Sequence, residues 1–105
     1  MDFDDIRKLI EANSIRWTDH ALKRIIQRSI SRSDILHVLS NGEIIEEYPD
    51  DYPHPSCLVL GMKEDKSPLH IVCGIGDSEL WVISVYYPDP EKWINNFKQR
   101  KEIKI

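Results

Sequence analysis

The sequence predicts an α+β fold in which N-terminal helices pack on a curved four-stranded antiparallel sheet and a further helix ends the chain. Three observations lead there. Apolar residues recur at helical spacing in three successive segments before Gly42. Beyond Gly42 the pattern changes to short runs of Ile, Val, Leu and aromatic residues divided by turn-forming residues. The connections between those runs are too short for parallel crossovers, so the strands form an antiparallel meander.

The first helix is expected over Asp4 to Asn13, where Phe3, Ile6, Leu9 and Ile10 share a face, acids come first, and Asn13 provides a stop. Ser14 to Trp17 reads as a connection or a brief strand. Thr18 is the N-cap of a second helix, with Asp19 in its first turn, Leu22, Ile25 and Ile26 as its buried stripe, and an end near Ser29. Ser31 or Ser33 caps the third helix, where Asp34 imitates a capping box. Ile35, Leu36, Val38 and Leu39 form its apolar face, and Asn41-Gly42 is the expected left-handed stop. The strands centre on Ile44-Ile45, Ser56 to Met62, Leu69 to Ile75 and Leu80 to Tyr87. Glu64 to Ser67 and Gly76 to Ser78 supply turns. Asp89-Pro90 begins the final helix, which turns Trp93, Ile94 and Phe97 inward. The tail from Lys98 to Ile105 is helical or loose.

At 105 residues, with 41% hydrophobic and 30% charged residues, the chain is a single domain over 1–105 with enough apolar content for one core. Its longest apolar runs fall far short of the roughly 20 residues that span a bilayer. The acidic start, Met1 to Asp5, is unlike a secretory signal, so a cytoplasmic protein without a membrane partner is expected. Cys57 and Cys73 are too few for a disulfide framework and have none of the companions of a zinc site. No metal and no cofactor are expected, and no dinucleotide, P-loop, nucleophile-elbow or metalloprotease motif occurs.

The net charge of −4 argues against a passive nucleic-acid coat. The charge is unevenly spread, however. Residues 15–34 hold five bases against two acids, residues 43–51 hold five acids and no base, and residues 91–104 again hold five bases against two acids. Within the first basic segment His20, Arg24 and Arg28 lie at about 0°, 40° and 80° around the second helix, beside the apolar stripe at about 140° to 240°. Three cations in a row repel one another unless an anion lies among them. They form either a solvated face, paired with the acids of residues 43–51, or a phosphate grip in which Arg supplies forked donors and His moves a proton.

His70 lies in a central strand, with Val72 on its face and Leu69, Ile71 and Cys73 on the other. A lone strand histidine is more often structural than catalytic. His54 is in a proline-stiffened loop and expected to face solvent, and His37 has the weakest claim. Tyr86 and Tyr87 end the last strand, where a tyrosine orients a phosphodiester, stacks on a base or merely closes the core.

Thr18 to Ile30, which contains His20, Ala21, Arg24, Arg28 and Ile30 in an H-A-x-x-R-x-x-x-R-x-I arrangement, resembles the opening of the bacterial domain of unknown function 4258. Asp34-Ile35, Gly42 to Tyr48, Leu58 to Gly61, Pro68 to Val72 and Tyr86 continue the likeness in order, over about residues 15 to 90. The resemblance implies a relative of the RelE, ParE and BrnT toxins, with helices on a small curved sheet. It also implies a neighbouring antitoxin that carries a zinc finger and a helix-turn-helix. Toxins of the RelE kind are metal-independent endoribonucleases that cut mRNA on the ribosome. This chain departs from them in being acidic overall.

Carried over by position, the motif residues are His20, Arg24, Arg28, His70 and Tyr86. Metal-free RNA cleavage uses the neighbouring 2′-hydroxyl as nucleophile, so the protein must move protons and neutralise a crowded phosphate. Arg24 and Arg28 suit the charge, and His20 or His70 the proton. Two functions are therefore expected in competition. One is the toxin of a type II toxin–antitoxin system acting on mRNA or the ribosome. The other is a non-catalytic module whose basic helix face docks an acidic partner. The basic tail from Lys98 is a further candidate RNA contact.

Overall fold

A computed structural model of the chain describes residues 1–102. Helix α1 (Phe3–Glu11) is capped by Asp2 and stopped by Asn13, whose φ of 55° no right-handed helix accommodates. Strand β1 (Ile15–Trp17) leads into α2 (Asp19–Gln27), capped by Thr18. Helix α3 (Arg32–Asn41) opens on a full capping box between Ser31 and Asp34. Then follow β2 (Glu43–Tyr48), β3 (Ser56–Met62), β4 (Pro68–Gly76) and β5 (Glu79–Tyr86).

The fold is α+β as expected, but the sheet has five strands in the order β1-β5-β4-β3-β2 and is mixed rather than four-stranded and antiparallel. The brief segment Ile15–Trp17 joins β5 in parallel, Arg16 opposite Trp81. A three-residue run has too little pattern to reveal its pairing; the partner's open edge decides it. β2 to β5 form the predicted meander.

The expected C-terminal helix is absent. Asp89 starts a turn, accepting from Glu91 N at its side chain and from Lys92 and Trp93 N at its carbonyl. Asn95, Asn96 and Phe97 then all take positive φ, 54° to 67°, which ends any right-handed helix. The chain reverses, and β6 (Trp93–Ile94) pairs with β7 (Gln99–Arg100). Trp93 is buried, Phe97 half-buried and Ile94 exposed. Of the tail, residues 103–105 lie outside the described residues.

The expected left-handed stop at Asn41-Gly42 is also corrected, since Gly42 has φ −86°. Glycine is needed there for space, because a Cβ would lie 2.4 Å from the Leu60 carbonyl oxygen. The core lies on one sheet face. Cys57, Val59, Leu69, Ile71, Cys73, Leu80, Val82 and Val85 meet Ile6, Ile35, Val38 and Leu39 there. Cys57 and Cys73 stand opposite each other in β3 and β4, their free thiols 3.8 Å apart. His70 and Tyr86 sit on the opposite face, under the β6–β7 hairpin.

Candidate functional site

Helix α2 is placed by β1. Thr18 N donates to the Val82 carbonyl at 3.1 Å, continuing the β1–β5 pairing, and its hydroxyl then caps the helix by accepting from Ala21 N at 3.0 Å. The same hydroxyl donates to the Ile83 carbonyl at 2.9 Å. From that point α2 runs beside the end of β5, an edge that no further strand covers among the described residues.

This placement overturns the expected buried stripe at Leu22 and Ile26 and keeps it at Ile25, which packs against the core. Ala21 is fully buried, Arg24, Ile25 and Arg28 are half-buried, and Leu22 and Ile26 are 45% and 80% exposed. The physical reason is the neighbour. A strand edge presents carbonyls that need donors rather than an apolar surface that needs cover. Arg28 meets that need, its Nη1 donating to the Val85 carbonyl at 2.7 Å. His20 Nε2 lies 3.2 Å from Ser84 Oγ, and Arg24 Nη1 donates to Gln27 Oε1 at 2.8 Å.

Among the described residues, neither arginine has a carboxylate within 4 Å. The acids expected to neutralise them are engaged elsewhere. Glu43 pairs with Lys98 at 3.0 Å, Glu47 with the N-terminal ammonium at 3.2 Å, and Glu46 with Arg100 through both carboxylate oxygens. Hydrogen bonds from Arg100 and Tyr48 hold the Glu46 carboxyl below its ordinary range, outweighing a burial that pushes it up. Burial, and donation to Glu46, push the Tyr48 phenol up to about 12.

His70 is fully buried and both ring nitrogens are engaged. Nε2 lies 2.9 Å from the Phe97 carbonyl oxygen and Nδ1 lies 3.1 Å from Tyr86 Oη. A carbonyl only accepts, so Nε2 carries the proton and the neutral ring accepts at Nδ1 from the Tyr86 hydroxyl. Burial pushes the imidazole pKa below its ordinary value, partly offset by Phe97 and Glu46, and burial raises that of Tyr86. Trp93 packs edge-on against the imidazole with centroids 4.5 Å apart, and the Arg100 guanidinium lies 4.7 Å from the Trp93 ring centre. His70 thereby fastens the C-terminal hairpin.

Four of the five motif residues thus meet along the end of β5, where it forms a ledge with α2, though they are not equally available, while Arg24 stays within α2, on Gln27. His20 touches Ser84, Arg28 reaches Val85, Tyr86 is the strand's last residue, and His70 faces Tyr86 from β4. His20 is exposed, while His70 presents no free nitrogen. His54, expected in solvent, is half-buried with its ring on Gly76. Nothing in the residue pattern pointed to the Glu46–Arg100–Trp93–His70 assembly, which joins distant segments. Ser84 did leave a trace, as a lone hydroxyl in the apolar run from Leu80 to Val85.

Among the described residues no three His, Cys, Asp or Glu side chains converge to hold a metal, and no helix is long and apolar enough to cross a membrane. No curated protein and no solved structure matches the chain. A family model does, over residues 17–87, which is about two-thirds of the chain and includes every residue of the α2–β5 ledge. The chain belongs to the family described as Domain of unknown function (DUF4258).

Proposed function

We propose that the protein is the toxin of a type II toxin–antitoxin pair, a RelE-like, metal-independent endoribonuclease that cuts mRNA with the α2–β5 ledge. One observation carries the reading: Arg24 and Arg28 lie on the helix beside a strand edge with no carboxylate within 4 Å among the described residues, while Glu43, Glu46 and Glu47 are paired near the two termini. Such a row of cations is stabilised by an incoming anion, and Arg is suited to a phosphodiester.

In this chemistry the RNA 2′-hydroxyl oxygen attacks the adjacent phosphorus and the bond to the 5′ oxygen breaks, leaving a 2′,3′-cyclic phosphate and a 5′-hydroxyl. His20, with its exposed ring, accepts the 2′-hydroxyl proton, and the departing oxygen takes a proton from water. Ser84 Oγ steadies the imidazole, since a hydroxyl serves a ring nitrogen as donor or acceptor. Arg24 and Arg28 stabilise the doubly charged pentacoordinate phosphorus. Tyr86 and His70 support the ledge from the sheet. An antitoxin of the zinc-finger and helix-turn-helix type restrains the activity by covering the ledge, in the cytoplasm.

The test is expression in a bacterial host, followed by cleavage of ribosome-bound mRNA by the purified protein. Growth arrest with mRNA loss is expected. His20→Ala should slow cleavage about 10²–10⁴-fold, and Arg24→Ala about 10²–10³-fold. Harmless expression together with intact mRNA overturns the proposal.

A second reading, a non-catalytic module that docks an acidic partner, draws on the outward face of α2. Exposed Leu22 there borders a groove of about 250 Å³ with Arg32 and the half-buried Trp17 and Ile25. On that reading Arg24→Glu weakens partner capture and leaves RNA unchanged.

A further inference from the structure

At the other end of the same sheet face lies a groove of about 300 Å³, bordered by the Asp51–His54 loop, Trp81, Ile83, Gly74 and Thr18. Its walls are aromatic. Tyr52 stands at the rim 96% exposed, and the His54 ring lies against Gly76 so closely that a Cβ there would come within 2.2 Å of it. The indole N–H of Trp81 is spent on the Gly76 carbonyl at 3.3 Å, so this side chain offers the groove its ring rather than its donor. Of its polar side chains, His54 turns Nε2 to within 3.6 Å of Asp77 Oδ2, and Asp51 has an oxygen to spare. Asp51 takes the Ser56 hydroxyl on Oδ2, which leaves Oδ1 without a hydrogen-bond partner among the described residues.

The groove is continuous with the ledge. A β-bulge opposite Val72 and Cys73 leaves Ile83 as an extra residue in β5. Ile83 lines the groove, and the next residue, Ser84, meets His20. Thr18 is likewise shared, since it borders the groove and caps α2. Trp81 and Ser84 are about 10 Å apart along the strand, a distance the sugar–phosphate backbone of a short RNA segment covers.

Building on the RNA-cleaving function above, we infer that this groove is a nucleobase subsite for the strand whose phosphate rests on the ledge. The volume is at the lower end of ligand sites and suits one planar ring. Flat aromatic walls hold unstacked bases of single-stranded RNA. The free oxygen of Asp51 accepts from an exocyclic amino group, so adenine, cytosine and guanine are favoured over uracil, which has none.

The experiment follows the Trp81 indole N–H and the His20 ring by NMR. The four nucleosides are titrated separately, and then an abasic ribose-phosphate oligomer. Adenosine, cytidine and guanosine should shift Trp81 more strongly than uridine. Tyr52→Ala, at a fully exposed position, should weaken that binding at least about fivefold, and Asp51→Ala, which leaves no acceptor there, should erase the preference. Nucleosides that leave Trp81 unmoved, or that bind equally well to Tyr52→Ala, overturn the subsite, as does a proline-rich peptide that moves Trp81 where nucleosides do not. The oligomer reports on the ledge alone. If it shifts His20 while nucleosides leave Trp81 unmoved, the subsite falls and the ledge stands; the converse removes the ledge and keeps a base site.

Discussion

Residues 15–34 and 91–104 carry the same excess of three positive charges, yet the fold treats Arg24 and Arg28 of the first, unlike its Glu79-paired Arg16, differently from Lys98 and Arg100 of the second. In the C-terminal segment Lys98 and Arg100 are drawn onto Glu43 and Glu46 of β2, and Arg100 also covers Trp93. In the α2 segment Arg24 and Arg28 reach only an amide and a backbone carbonyl among the described residues. One group of cations serves the fold's own stability, and the other keeps its charge available. Charge counted along the chain does not separate these cases; the positions of the carboxylates do.

The comparison breaks first at the hairpin. Trp93→Ala removes a nearly buried indole from His70 and should cost about 3–5 kcal/mol of unfolding free energy in urea titration. A loss under about 1 kcal/mol would mean that the C-terminal segment merely rests on the sheet.

The next effect is one of pH. The unfolded chain's His70 takes up a proton near the ordinary 6.5 and the buried, folded one resists it, so stability is full above that pH and declines as the pH falls below it. His70→Gln removes the titrating group, and its stability should fall less steeply on acidification from pH 7 towards 5. Parallel curves for the two proteins would refute the burial argument.

The smallest effects sharpen the contrast most directly. Arg100→Ala, with its side chain mostly in solvent, should cost at most about 1 kcal/mol. Arg24→Ala should change stability by no more than a few tenths of a kcal/mol, or raise it, because repulsion along the helix is relieved. Thermal unfolding of the two variants side by side checks this. A large loss in Arg24→Ala would make the ledge structural.

Much of this arrangement is legible in the residues alone. Thr18, the Ser31–Asp34 box and the four meander strands need only local capping, alternation and turn chemistry. The helix after Pro90 failed because Asn95, Asn96 and Phe97 reverse the chain to bring Trp93 and Phe97 onto His70. The burial of Leu22 and Ile26 failed because hydrophobic periodicity supposes a broad apolar neighbour, whereas this helix meets the core only through Ala21 and Ile25 and otherwise lies on a polar edge.

Side-chain chemistry at short range thus sets the order of most elements, the alternation of the sheet faces and the clustering of basic residues along the chain. The packing of distant segments sets which cations lack a carboxylate among the described residues, which histidine is sealed and which reaches solvent. Those outcomes depend on residues dozens of positions apart, such as Glu46 and Arg100 or His70 and Phe97, meeting in space.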